Sequence, residues 1–152
     1  MFNISAATDI NCSAEQLWDL IDDTERYPEW IEVTDRMLEV PEGGLAKGVT
    51  YREYGGISPF KGESTWKVTE YEPRSRQVHI GDDGSMTMTL EVIINAHEDG
   101  VTLVQNLHFK PRWWILPMTL IMWPALMGRR GRAAIGKTQA NAKAILEAPA
   151  PE

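Results

Sequence analysis

Residues 86–109 read MTMTLEVIINAHEDGVTLVQNLHF. In the first half Met86, Met88, Leu90, Val92 and Ile94 fall on alternate positions, with Thr87, Thr89 and Glu91 between them. In the second half Leu103, Gln105, Leu107 and Phe109 alternate with Thr102, Asn106 and His108. A period of two puts each set on one face of a strand, and Glu98-Asp99-Gly100 supplies the turn between the strands. The stretch therefore predicts an antiparallel hairpin with one apolar face. Such a face must be covered by another layer.

Upstream, the same kind of punctuation repeats. VTDRMLEV (33–40) ends at Pro41-Glu42-Gly43-Gly44, VTYREY (49–54) at Gly55-Gly56, STWKVTEY (64–71) at Glu72-Pro73-Arg74-Ser75, and RQVHI (76–80) at Gly81-Asp82-Asp83-Gly84. With an opening strand in FNISAATDI (2–10), these segments make an antiparallel meander. Ser13 and Gln16 form the capping box of a helix AEQLWDLID (14–22), flanked by Cys12 and Leu17 at staple positions. Leu17, Trp18, Leu20 and Ile21 are its buried side. DTERYPEW (23–30) reads as a second short helix, limited by Pro28.

The cover for the sheet has to come from the C-terminal segment. Pro124 to Glu147 is read as one helix of about 36 Å, with Pro124 at its first position and Ala134, Ile135, Ala142, Ile145 and Leu146 on its apolar face. The expectation is one domain over 1–147 and a disordered tail over 148–152.

The chain has 152 residues and a formal net charge of −7, an acidic balance that argues against nucleic acid as a partner. Cys12 is the one cysteine, which excludes an internal disulfide. The N-terminal residues have neither a basic start nor a long apolar run, so they do not read as a leader, and the cytoplasm is the expected compartment.

The segments SAEQLWDLIDDTERYPEW (13–30), WKVTEYEPRSR (66–76), EDGVTLVQNLHF (98–109) and KTQANAKAILE (137–147) resemble the START-like, Bet v 1-like superfamily. The likeness is to its bacterial polyketide cyclase/dehydrase-type members and spans essentially the whole chain. It implies an α+β helix-grip fold: a curved antiparallel sheet of about seven strands wrapped around a long C-terminal helix, with two short helices after the first strand. It also implies a cavity between sheet and helix that takes a hydrophobic small molecule.

The segment from Trp113 to Arg132 has three readings: a wall of that cavity, plain core, or weak peripheral contact with a membrane surface. It is too short, and too broken by Pro117 and Pro124, to span a bilayer. Trp113, Trp114 and Trp123 near Arg129, Arg130 and Arg132 suit a headgroup region. The cavity-wall reading is preferred, because the fold needs closure at this point.

No catalytic constellation is legible. His97 in HEDG lacks the second histidine of a zinc helix, and His79 and His108 alternate away from apolar neighbours, so both are expected on the outer face. Gly131-Arg132-Ala133-Ala134-Ile135-Gly136-Lys137-Thr138 matches a phosphate-loop pattern by letter, yet it lies within a helical pattern and is read as coincidence. No metal or cofactor is expected.

The ligand-facing set is Trp30, Trp66, Met86, Met88, Leu90, Leu107, Phe109, Trp114, Met118 and Met122, with polar contacts from Gln105, Ser64 and either Tyr51 or Tyr54. The register of VTYREY is open: one face carries Tyr51 and Glu53, the other Arg52 and Tyr54. The functional expectation is a binder or carrier of a lipid, polyketide or quinone. The alternative is a cyclase, aromatase or dehydratase, marked by an ionisable side chain inside the cavity.

Overall fold

The computed structural model describes residues 2–149. Seven antiparallel strands form one sheet: β1 (Phe2–Ile10), β2 (Thr34–Glu39), β3 (Thr50–Ile57), β4 (Phe60–Glu72), β5 (Arg76–Asp82), β6 (Met86–His97) and β7 (Gly100–Pro111). Their order is β1-β7-β6-β5-β4-β3-β2, so β2 to β7 make a meander and β1 joins beside β7. This is the helix-grip arrangement. The expected tail falls partly on residues 150–152, outside the described residues.

Between β1 and β2 the chain makes α1 (Ala14–Asp22), a tight turn at Thr24–Arg26, and α2 (Tyr27–Trp30). The capping box is present in both directions, Gln16 N–H donating to Ser13 Oγ at 3.1 Å and Ser13 N–H to Gln16 Oε1 at 2.9 Å. Leu17, Trp18, Leu20 and Ile21 are buried, and Tyr27 Oη donates to Ile21 O at 2.7 Å, tying α2 to the end of α1.

Two boundaries differ from the sequence reading. Gly55-Gly56 does not end β3. The strand runs through both glycines and turns at Ser58-Pro59. Gly55 passes so close to the Val33 carbonyl that any side chain would collide with it, and Gly56 has φ 129° with Phe60 O 2.6 Å from where a Cβ would sit. These glycines serve close strand approach and not a turn.

The C-terminal helix also starts earlier than Pro124. It begins as α3 (Leu116–Met122), widens by one π-type turn over Trp123–Met127, and continues as α4 (Gly128–Leu146). Pro124 has no N–H to give the preceding turn, and the wider turn absorbs that loss without breaking the helix. Trp123 is turned inward there, with its ring 5.1 Å from Phe2 and 5.4 Å from Phe109. The phosphate-loop lettering lies inside α4, where no loop exists.

The helix lies along β1, with Gln139 Nε2 donating to Ala6 O at 3.0 Å and Lys143 Nζ to Asp9 O at 2.6 Å. Gly131 sits against the Ile4 side chain, which brings helix and strand together. On its other flank Asn141 Nδ2 donates to Trp30 O at 3.1 Å, and Thr138 Oγ1 accepts from Glu32 N–H at 2.9 Å. α4 is thus pinned to both sides of the bowl. None of the described helices is long and apolar enough to cross a membrane.

Candidate functional site

Between the concave face of the sheet and the helices lies a cavity of about 220 Å³. β6 contributes Met86, Met88, Leu90 and Val92, and β7 contributes Gln105, Leu107 and Phe109. Trp66 and Ser64 come from β4, Tyr27 and Trp30 from α2, and Met118, Thr119, Met127 and Ile135 from the C-terminal helix. Most of the expected set therefore borders this space. Tyr54, Trp114 and Met122 do not.

The β3 register decides the Tyr54 question. Tyr51 pairs with Trp66 across the strands and their rings stack 6.3 Å apart at 7°, so Tyr51 and Glu53 face inward. Arg52 faces out, between Glu39 at 3.0 Å and Glu63 at 2.8 Å, and Tyr54 carries the Arg36 guanidinium 4.4 Å above its ring. An inward Arg52 would have needed desolvation with no partner inside. Trp114 is 53 % exposed because it precedes the first turn of α3, while Met122 packs against the core beside Trp123.

His79 corrects the sequence reading most sharply. It is 2 % exposed and lines the cavity, whereas Ile80 beside it is 40 % exposed. The register with β6 explains this: Gln77 pairs with Val92, His79 with Leu90 and Gly81 with Met88. Directly paired residues share a face. The apolar side of β6 therefore carries Gln77, His79 and Gly81 inward with it. Gly81 is needed there, since a Cβ would lie 2.6 Å from the Trp66 indole. His108 is exposed on the outer face, as the alternation indicated, and binds Asn3 Oδ1 at 2.5 Å.

The inward polar groups form a chain. Tyr51 Oη lies 2.7 Å from His79 Nδ1, and His79 Nε2 lies 2.7 Å from Gln77 Oε1. Gln77 Nε2 donates to Asp22 Oδ1 at 3.4 Å, and Tyr71 Oη donates to the same carboxylate at 2.9 Å. Burial pushes the His79 imidazole down from its ordinary 6.5 to about 4, so it is neutral at physiological pH. Burial holds the Tyr51 hydroxyl well above its usual range.

Glu53 is the second ionisable group in the wall. It accepts from Thr34 Oγ1 at 2.8 Å and from Trp66 Nε1 at 3.0 Å. Desolvation raises its carboxyl above the ordinary value, and those two hydrogen bonds oppose the rise. Trp30 Nε1 and Gln105 Oε1 are buried side-chain atoms with no partner among the described residues. Sequence reasoning missed His79 and Gln77. Their signal is the pairing of β5 with the methionine face of β6, which polarity within β5 conceals.

The comparisons agree with this architecture. A family model described as polyketide cyclase / dehydrase and lipid transport matches residues 1–143. Among solved structures, a protein from Chromobacterium violaceum superposes with TM-score 0.74 at 13% identity, covering 97% of this chain and 99% of that one. The di-domain ARO/CYC StfQ of the steffimycin biosynthetic pathway gives TM-score 0.71 at 11% identity, with 96% of this chain and 50% of that one. A START superfamily protein from Mycobacterium smegmatis gives TM-score 0.65 at 17% identity, with 94% and 93% covered. No curated protein matches the sequence. At these identities the structural likeness speaks for the fold, and the family match speaks for descent: the chain belongs to the polyketide cyclase/dehydrase and lipid transport family.

Proposed function

We propose that the protein binds a small hydrophobic or aromatic molecule in the cavity between the sheet and the C-terminal helix, and does so in the cytoplasm. The observation that carries this is the cavity's lining: methionine, leucine and aromatic side chains with a few polar groups placed among them. Its size limits the guest. A cavity of ~150 Å³ admits benzene, so about 220 Å³ suits one or two rings and not an extended polyketide or a two-chain lipid. The ligand set in this reading is Trp30, Tyr51, Trp66, Met86, Met88, Leu90, Gln105, Leu107, Phe109 and Met118, together with Glu53 and His79, all of which border the cavity.

A second reading is enzymatic. Glu53 and His79 are ionisable side chains in the wall, the feature that separates an acid–base enzyme from a carrier. Binding is favoured because both groups are already engaged by protein partners.

Native mass spectrometry of the purified protein, followed by denaturing extraction, tests the binding reading. A reproducible adduct with the mass of a one- or two-ring compound supports it. A clean protein mass that also shows no adduct with naphthalene at saturation refutes it. Conversion of the extracted compound by fresh protein would select the enzymatic reading instead.

A further inference from the structure

We propose that the cavity selects an uncharged one- or two-ring molecule bearing a hydroxyl, over one of equal size bearing only a carbonyl, because His79 holds Tyr51 as a hydrogen-bond acceptor. This rests on the reading that the cavity holds a small hydrophobic molecule.

The direction of the buried chain follows from its outer end. The Asp22 carboxylate can only accept, so the Gln77 amide must present its NH2 to it, across 3.4 Å. Gln77 Oε1 then faces His79 Nε2 at 2.7 Å, and that nitrogen has to carry the imidazole proton. His79 Nδ1 is left with its lone pair, and Tyr51 Oη, 2.7 Å away, donates to it. The single Tyr51 proton is thereby committed. Toward the cavity Tyr51 has only lone pairs to offer.

The other polar atoms of the wall fit the same guest. Both Glu53 carboxyl oxygens already serve as acceptors, Oε2 from Thr34 Oγ1 and Oε1 from Trp66 Nε1, and an anionic ligand would have to give up its hydration in an apolar wall. Among the described residues Gln105 Oε1 is a buried acceptor without a partner, and Trp30 Nε1 a buried donor without one. A hydroxyl both donates and accepts, so it can give its proton to a Tyr51 lone pair. A carbonyl can only receive, and leaves the Tyr51 lone pairs unmatched in the buried wall. His79 is a positioning residue here, acting through Tyr51.

Calorimetric titration with 1-naphthol, 1-tetralone, naphthalene and 1-naphthoate tests the proposal near neutral pH. The expected result is about tenfold tighter binding of 1-naphthol than of 1-tetralone, the worth of one net hydrogen bond, with 1-naphthoate weakest. In His79→Leu the Tyr51 hydroxyl is freed to donate, so the preference closes or reverses toward 1-tetralone. Tyr51→Phe, a smaller change of shape, lowers the preference without reversing it. A merely structural role for His79 would weaken all neutral probes together and leave their ratio intact.

Equal affinity of the wild-type protein for 1-naphthol and 1-tetralone overturns the proposal, as does an unchanged ratio in a folded His79→Leu protein. Naphthalene separates the two levels. If it binds and the ratio is flat, the cavity reading stands and the selectivity fails. If no neutral probe binds, both fall.

Discussion

Replacing His79 by leucine should flatten the acid limb of the protein's stability. In the folded state the imidazole titrates at about 4 against an ordinary 6.5, because it is buried among groups that do not compensate a charge. It faces the Tyr51 hydroxyl from β3 and the Gln77 amide from its own strand, with Glu53 in the same wall and the Asp22 carboxylate beyond Gln77. As pH falls through 6.5 the unfolded chain takes up a proton that the folded chain refuses, so stability complete above that point is lost on the way down to 4. The full shift corresponds to about 3 kcal/mol, of which about 2 kcal/mol is lost between about pH 7.5 and about pH 5.

Asp22 and Glu53 work in the opposite direction. Burial raises both carboxyls, so the folded state protonates before the unfolded one and acidification favours it. Both remain in the variant, and subtracting the two stability curves removes their contribution. Tyr27 and Tyr51, held well above the ordinary tyrosine range, stay neutral throughout. The assay is urea unfolding followed by tryptophan fluorescence on both proteins at matched pH. The wild-type advantage over His79→Leu should shrink by about 2 kcal/mol across that window. A difference that stays level would mean that His79 takes a proton without penalty, which contradicts its burial.

Other outcomes follow from single contacts. Gly81→Ala should cost about 1–3 kcal/mol, since the new methyl meets a Trp66 ring that Glu53 and Tyr51 already hold in place; thermal denaturation with an unchanged midpoint would refute the contact. Ser13→Ala should cost about 1 kcal/mol by removing the Ser13 Oγ acceptor of the Gln16 N–H while leaving the Ser13 N–H to Gln16 Oε1 bond, read by the denaturant midpoint. Trp113 at 85 % and Ile121 at 77 % exposure lie on the segment that leads into the exposed Arg129 and Arg130, and vesicle binding tests whether that segment touches a membrane. We expect flotation with phosphatidylserine vesicles at low salt, lost in Trp113→Ser/Ile121→Ser; absence of flotation by the wild-type protein removes the membrane reading.

Local signals were readable wherever a short stretch settles its own structure. Ser13 and Gln16 meet within one helical turn, and the capping box depends on nothing else. Met86 to Ile94 alternate in a strand whose own inward residues are all apolar, so pattern and burial coincide. The reading failed where a distant backbone intervened. Gly55-Gly56 resembles a turn by composition, yet Val33 occupies the space that makes glycine necessary. Pro124 looks like a helix start, but the widened turn lets the helix begin at Leu116.

The chain by itself determined the family, the order of strands and helices, the need for a helix over an apolar sheet, and the methionine and aromatic composition of the cavity. The family comes from the resemblance of whole segments, while the order of elements and the need for a covering helix follow from periodicity, capping and total apolar area, which are summed along the sequence. Only the tertiary structure decided which polar groups enter the cavity. Strand register is set by pairing with neighbours, and one residue of slip exchanges Tyr51 and Glu53 for Arg52 and Tyr54. His79 faces inward because Leu90 does, across a register that no local pattern in RQVHI encodes.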